Sequence, residues 1–232
     1  MRTLPAGNGY GEQLGRWAHA PATGDIAQVS DDAAEGGADD VRRFLENRAG
    51  ERHRLLRHEL AFVALAFDDF DEAIAAYLRD VPPIVCDPAC SDRERFLHWL
   101  RQSRPLTAQQ RDFIAYRQAE YAVRALVRDL RGSHLAFQRL RASEVDVAAA
   151  ERLHLNPIRV WARLAPPGRA VQDVVFFAAG ERVAAAWLES PALDLVRRLA
   201  AGFDPLEEPS VDREELATVC RDLVEKGLLA CT

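Results

Sequence analysis

The sequence predicts an α+β protein, with an N-terminal helical bundle followed by a three-stranded antiparallel sheet with helices. Three observations carry this. Apolar residues recur every three to four positions from Asp40 to about Leu130, the spacing of helices with one buried face. At Ile158 the pattern changes to strict alternation. Turn and capping residues then divide the rest into short strands and two helices. The expected organisation is an acidic, flexible arm over 1–40, a helical bundle over 41–156 and a sheet-containing domain over 157–232.

Residues 1–40 are rich in Gly, Ala and Asp and carry seven acids against two arginines, a local charge of −5. Such a segment buries too little apolar surface to fold alone. Tyr10, Leu14 and Trp17 are the residues that could fix it to a partner. The first helical run places Phe44, Leu55, Leu56, Leu60, Val63, Phe67, Phe70, Ile74, Tyr77 and Leu78 inward and ends at Asp80-Val81-Pro82-Pro83. Ser91 with Glu94, and Thr107 with Gln110, are capping-box pairs that open two further helices. The second should run to about Leu130 with Phe113, Ile114, Tyr121 and Leu126 inward, stopped by Gly132. A shorter helix through Leu135 and Leu140 follows, and Asp146 is placed to cap one more from about Ala148 to Leu153 before Asn156-Pro157.

The sheet comes next. Ile158, Val160, Ala162 and Leu164 alternate with Arg159, Trp161 and Arg163, and Pro166-Pro167-Gly168 supplies a turn. Val171–Ala178 is the second strand, Ala179-Gly180-Glu181 the next turn, and Val183–Trp187 the third strand. Ser190-Pro191 starts a helix that Gly202 can stop, and the two prolines of 204–209 read as a loop. Asp212 caps the last helix, with Glu215 three residues on and Gly227 past its end.

The order of three strands and two helices, ending in Arg221-Asp222-Leu223-Val224-Glu225-Lys226-Gly227-Leu228-Leu229, resembles the PqqD-type leader-peptide recognition element, a winged-helix-like domain. That resemblance covers the C-terminal third. It implies that the leader of a ribosomally made, modified peptide is bound as an added strand between the third strand and the last helix. In the bundle, Ile114-Ala115-Tyr116-Arg117-Gln118-Ala119-Glu120-Tyr121-Ala122-Val123-Arg124-Ala125-Leu126 is similar to a helix of the proteins encoded beside multinuclear-iron TIM-barrel enzymes that modify peptide cysteines. Together the two stretches resemble the MbnC-type partner subunits of methanobactin cassettes and their relatives in thiaglutamate biosynthesis. The resemblance implies two partners, the iron enzyme and a precursor peptide. It also implies that the iron cofactor belongs to the enzyme, with none in this chain.

Composition limits other readings. The chain has 232 residues, a net charge of −6 and one lysine, Lys226, which argues against general polyanion binding. No apolar run approaches the ~20 residues that span a bilayer, and no apolar leader segment is visible, so a cytoplasmic protein is expected. Four cysteines in a chain this long do not make a disulfide framework. Cys86 and Cys90 lie close in sequence, but a second close pair is lacking, so they are read as loop residues and no metal site is assigned. His53 and His58 do not share a helical face, and His98 and His134 lack a catalytic pattern around them. Phosphate-loop, nucleophile-elbow and zinc-protease motifs are all missing, so no catalytic residue is assigned.

The candidate site is therefore one for binding. Arg182, Val183, Ala184, Ala185, Ala186 and Trp187 form a strand whose free edge could template an extended peptide, with small side chains that let a second backbone approach. Arg213, Leu216, Cys220 and Leu223 on the last helix are expected beside it. Arg159, Trp161 and Arg163, and separately Tyr116 and Arg117, are candidate partner-interface residues, since Trp and Arg are enriched at hot spots. The alternative is a winged-helix DNA-binding regulator. Against it, the last helix with its cap carries Arg213, Arg221 and Lys226 against Asp212, Glu214, Glu215, Asp222 and Glu225, a charge of −2.

Overall fold

A computed structural model describes residues 38–81, 91–142, 146–165, 170–208 and 212–232, and among these helices fill the first part and a mixed arrangement of strands and helices the second. Tyr10, Leu14, Trp17, Cys86, Cys90 and the Pro166-Pro167-Gly168 turn lie outside these residues. The architecture is α+β. No helix among the described residues is long and apolar enough to cross a membrane.

The chain divides into two compact units, Met1–Gln110 and Arg111–Thr232. The first holds α1 (Ala38–Glu59), α2 (Ala61–Ala64), α3 (Phe70–Asp80) and α4 (Asp92–Ser103). Its core is Leu56, Leu60, Val63, Phe70, Ile74, Tyr77, Phe96, Leu97 and Leu100, each no more than 2% exposed. Burying such side chains supplies roughly 1.5–3 kcal/mol each. Rings meet edge-on, Phe70 with Phe96 at 5.6 Å and Tyr77 with Phe96 at 5.1 Å. The Ser91 capping box forms as the spacing predicts.

α5 (Ala108–Asp129) opens on the reciprocal Thr107–Gln110 bonds and runs into the second unit. There follow α6 (Arg131–Arg141), β1 (Leu153–Leu155), β2 (Arg159–Leu164), β3 (Gln172–Ala179), β4 (Arg182–Trp187), α7 (Ser190–Ala200), α8 (Arg213–Lys226) and β5 (Leu229–Cys231). β2, β3 and β4 form an antiparallel sheet in that order, and β1 pairs with β5 in a separate two-stranded sheet.

β3 is the middle strand and is buried on both faces. Val174, Phe176 and Ala178 meet α5 through Tyr116, Ala119 and Val123. Val175 and Phe177 meet the helical layer of α7 and α8 through Leu195, Val196, Cys220 and Leu223. The sheet of this unit is thus the middle of three layers.

Several expectations change. The division after Gln110 precedes the expected boundary at 156/157, because the α5 residues beyond it cover the sheet. Gly132 does not end the long helix: the chain breaks at Leu130 (φ −111°, ψ 35°), and Gly132 lies in the first turn of α6. The helix expected from Ala148 to Leu153 is one 3-10 turn, Val147–Ala149, capped by Asp146, and Leu153 belongs to β1. The loop expected at 204–209 contains another 3-10 turn, Pro205–Glu207, where the Asp204 carboxylate accepts from the Leu206 N–H. Glu189, not Ser190, occupies the cap position of α7. The β1–β5 pair has no counterpart in the sequence pattern.

Candidate functional site

The β3–β4 hairpin turns on two residues, Gly180 and Glu181, with Gly180 at φ +64°. It sets the register Phe177↔Ala184 and Val175↔Ala186. In an antiparallel pair, residues bond alternately inward and outward along a strand. Ala178 fixes the parity. Its N–H donates to the Ile158 carbonyl at 3.1 Å, and its carbonyl accepts from the Asn156 amide at 2.8 Å, so both groups point toward the β2 side. Ala178 therefore does not bond its β4 partner Val183. By alternation, Arg182, Ala184 and Ala186 bond β3, while the main-chain groups of Val183, Ala185 and Trp187 point away from the sheet.

Among the described residues, β4 has a strand neighbour on its β3 side alone. Ala185 and Trp187 are on the face toward α5, which covers β2 and β3 but not this corner. Trp187 is 42% exposed and stands at the end of the edge. It also lines a groove of about 440 Å³ with Arg163, Val171, Asp173, Leu188 and Leu193. On the opposite face, Ala184 and Ala186 pack into the apolar layer shared with α7 and α8.

The structure places the helix residues differently from one another. Cys220 and Leu223 are at most 1% exposed and lie in the core with Ala186, out of reach of a docked peptide. Burial pushes the Cys220 thiol up to about 12, with Cys231 and Asp204 adding to the effect. Leu216 lines a groove of about 250 Å³ between α7 and α8, floored by Leu195, Pro205 and Val219 and rimmed by Asp194, Asp212 and Glu215. Arg213 is exposed and donates to the Ala150 carbonyl at 3.5 Å.

Arg159, Trp161 and Arg163 lie on one face of β2, opposite Phe177, Val175 and Asp173, on the α7 side of the sheet. Arg163 sits 3.7 Å from Asp173, whose other oxygen accepts from Arg197 at 2.6 Å. Tyr116 is committed to packing, its ring edge-on to Phe176 at 4.9 Å. Arg117 pairs with Glu120 at 2.5 Å and stacks over Tyr121. These two residues hold α5 to the sheet and to itself.

Among the described residues, no three His, Cys, Asp or Glu side chains converge as a metal ion would require. The residue that sequence reasoning missed is Asn156. Its place before Pro157 predicts only a break in the chain, but it is fully buried and its amide donates to the Ala178 carbonyl of the middle strand. An Asn before Pro signals a turn and gives no hint of a buried role. Compared with known protein families, curated proteins and solved structures, the chain gives no match.

Proposed function

We propose that this chain is a non-catalytic adaptor that binds the leader of a ribosomal precursor peptide by strand addition along β4. By its sequence resemblance, it pairs with a multinuclear-iron enzyme. The observation that carries the docking half is the outward main chain of Val183, Ala185 and Trp187 on an edge with no described strand beside it. Three alanines keep the edge low, so a guest backbone can reach the ~4.8 Å inter-strand spacing without clash. Trp187 provides an apolar wall at one end.

The chemistry then belongs to the partner. Held beside that enzyme, a precursor's core cysteine undergoes four-electron oxidation to an oxazolone–thioamide pair, with dioxygen accepting the electrons. The adaptor's contribution is positioning and raised effective concentration.

Co-purification with the neighbouring iron enzyme, and peptide binding measured by fluorescence anisotropy, test the two halves separately. Ala185→Pro removes an outward donor and should weaken leader binding about tenfold or more while the fold is kept. Unchanged binding by a folded Ala185→Pro protein would remove β4 as the docking edge. The rival reading, a DNA-binding regulator, requires salt-sensitive duplex binding, which the −2 charge of α8 with its cap opposes.

A further inference from the structure

We infer that the outer edge of β2 is a second docking edge. It takes an extended acidic segment of a partner protein that carries two carboxylates four residues apart with an apolar side chain midway. This inference concerns the opposite side of the sheet from β4 and stands without the reading given to that strand.

The parity set by Ala178 also orients β2. The Ile158 carbonyl points to β3, so Val160, Ala162 and Leu164 bond β3 and the main chain of Arg159, Trp161 and Arg163 faces outward. No described strand pairs with that side. The edge ends where the Asp112 carboxylate accepts from the Ala165 N–H at 3.1 Å.

The side chains along this stretch need an anion. Arg159 is half-buried and bonds the neutral carbonyl of Asn156 at 2.8 Å. Burial depresses its pKa, and no carboxylate among the described residues offsets that cost. Arg163 has its side chain 78% exposed, and the nearby Asp173 is held more closely by Arg197. Arg163 and Arg197 thus share the Asp173 carboxylate, Arg159 bonds a neutral carbonyl, and Trp161 between them is 38% exposed.

Strand periodicity converts this into a guest sequence. Residues facing Arg159 and Arg163 across a new ladder lie four apart, and the residue between them faces Trp161. A second copy of this chain fits poorly. Two-fold pairing of β2 about Trp161 would set each Arg159 against the other copy's Arg163, and like charges directly opposite destabilise a ladder.

The test uses the full chain and a fluorescein-labelled peptide of alternating Thr and Val, with two glutamates four residues apart around a central valine. A second peptide has lysines in place of the glutamates. The glutamate peptide should bind at least about tenfold more tightly than the lysine peptide, and Arg163→Glu should abolish that preference. Trp161→Pro removes an outward donor without touching the β3 ladder, and should weaken binding about tenfold with circular dichroism unchanged. Ala185→Pro should leave this binding intact, which separates the two edges. Several results would overturn the inference: equal affinity for the two peptides, no binding at about 1 mM peptide, or loss of binding in Ala185→Pro. So would an Arg163-dependent preference for duplex DNA over the glutamate peptide, or a dimer that Trp161→Pro dissolves.

Discussion

Asn156 donates one hydrogen of its amide to the Gly227 carbonyl at 3.0 Å and the other to the Ala178 carbonyl at 2.8 Å. Its own oxygen accepts from the Ile158 N–H at 2.9 Å. One fully buried side chain thus joins the end of α8 to the start of β2 and the middle strand. Replacing it with alanine would leave two carbonyls and one N–H without partners in a dry interior. Asn156→Ala should cost roughly 2–4 kcal/mol in a urea titration, several times an ordinary surface change. A loss below about 1 kcal/mol would mean that these groups find other partners.

The parity of β4 makes a paired prediction about folding. Ala184 bonds β3, so Ala184→Pro breaks the ladder and should cost about 3 kcal/mol or more. Ala185 points its N–H outward, where an edge strand tolerates proline, so Ala185→Pro should cost about 1 kcal/mol or less. The order of the two melting temperatures decides the matter. If Ala185→Pro is the more damaging, the bonding alternation is reversed and the outward set is Arg182, Ala184 and Ala186.

Much of this arrangement is legible in the sequence because it is local. Alternation at Ile158–Leu164 puts Arg159, Trp161 and Arg163 on one face, and the structure keeps them there. Ala179-Gly180-Glu181 marks a turn, which the structure narrows to Gly180 and Glu181 and so fixes the register of β4. Contacts across long separations are not legible. β1 and β5 are three residues each, and Leu153 meets Cys231 from the far end of the second unit. No three-residue window distinguishes a strand from a helix end. The sequence turns Phe113, Ile114, Tyr121 and Leu126 of α5 inward, but it does not show that Tyr116, Ala119 and Val123 pack on a sheet, because a helical stripe does not say what it covers. Cys220 and Leu223 show the same limit: their spacing reveals a face without revealing that it is sealed.

The buried thiols give a chemical test of that sealing. Burial raises the pKa of Cys220 to about 12 and also raises that of Cys231. A raised acid pKa means the folded state holds its proton more strongly than the unfolded chain. The stabilisation is therefore complete below the ordinary thiol value of 9.0 and declines as pH rises from there toward 12. At pH 8, iodoacetamide should leave both residues unmodified in the folded protein and alkylate both in denaturant, as peptide mapping would show. Rapid labelling of Cys220 under native conditions would place it at an open surface.

In the first unit, Asp92 gathers the bonds that hold α4 to α1 and α3. Arg52 donates to its two oxygens, both at 2.8 Å, and the Tyr77 hydroxyl donates at 2.6 Å. Burial works against the carboxylate charge, but these donors outweigh it and hold the Asp92 pKa below the ordinary 3.8. The folded state therefore binds this proton less readily than the unfolded chain. Its stabilising contribution is full at neutral pH and is lost as pH falls below 3.8 through the folded value. Asp92→Asn keeps the shape but removes the charge opposite Arg52, and should cost roughly 2–4 kcal/mol at pH 7. The gap between wild type and variant should narrow as pH falls from 5 toward 2 in parallel denaturant titrations. A gap independent of pH would show that packing around the substituted amide, and not the lost charge, sets the difference.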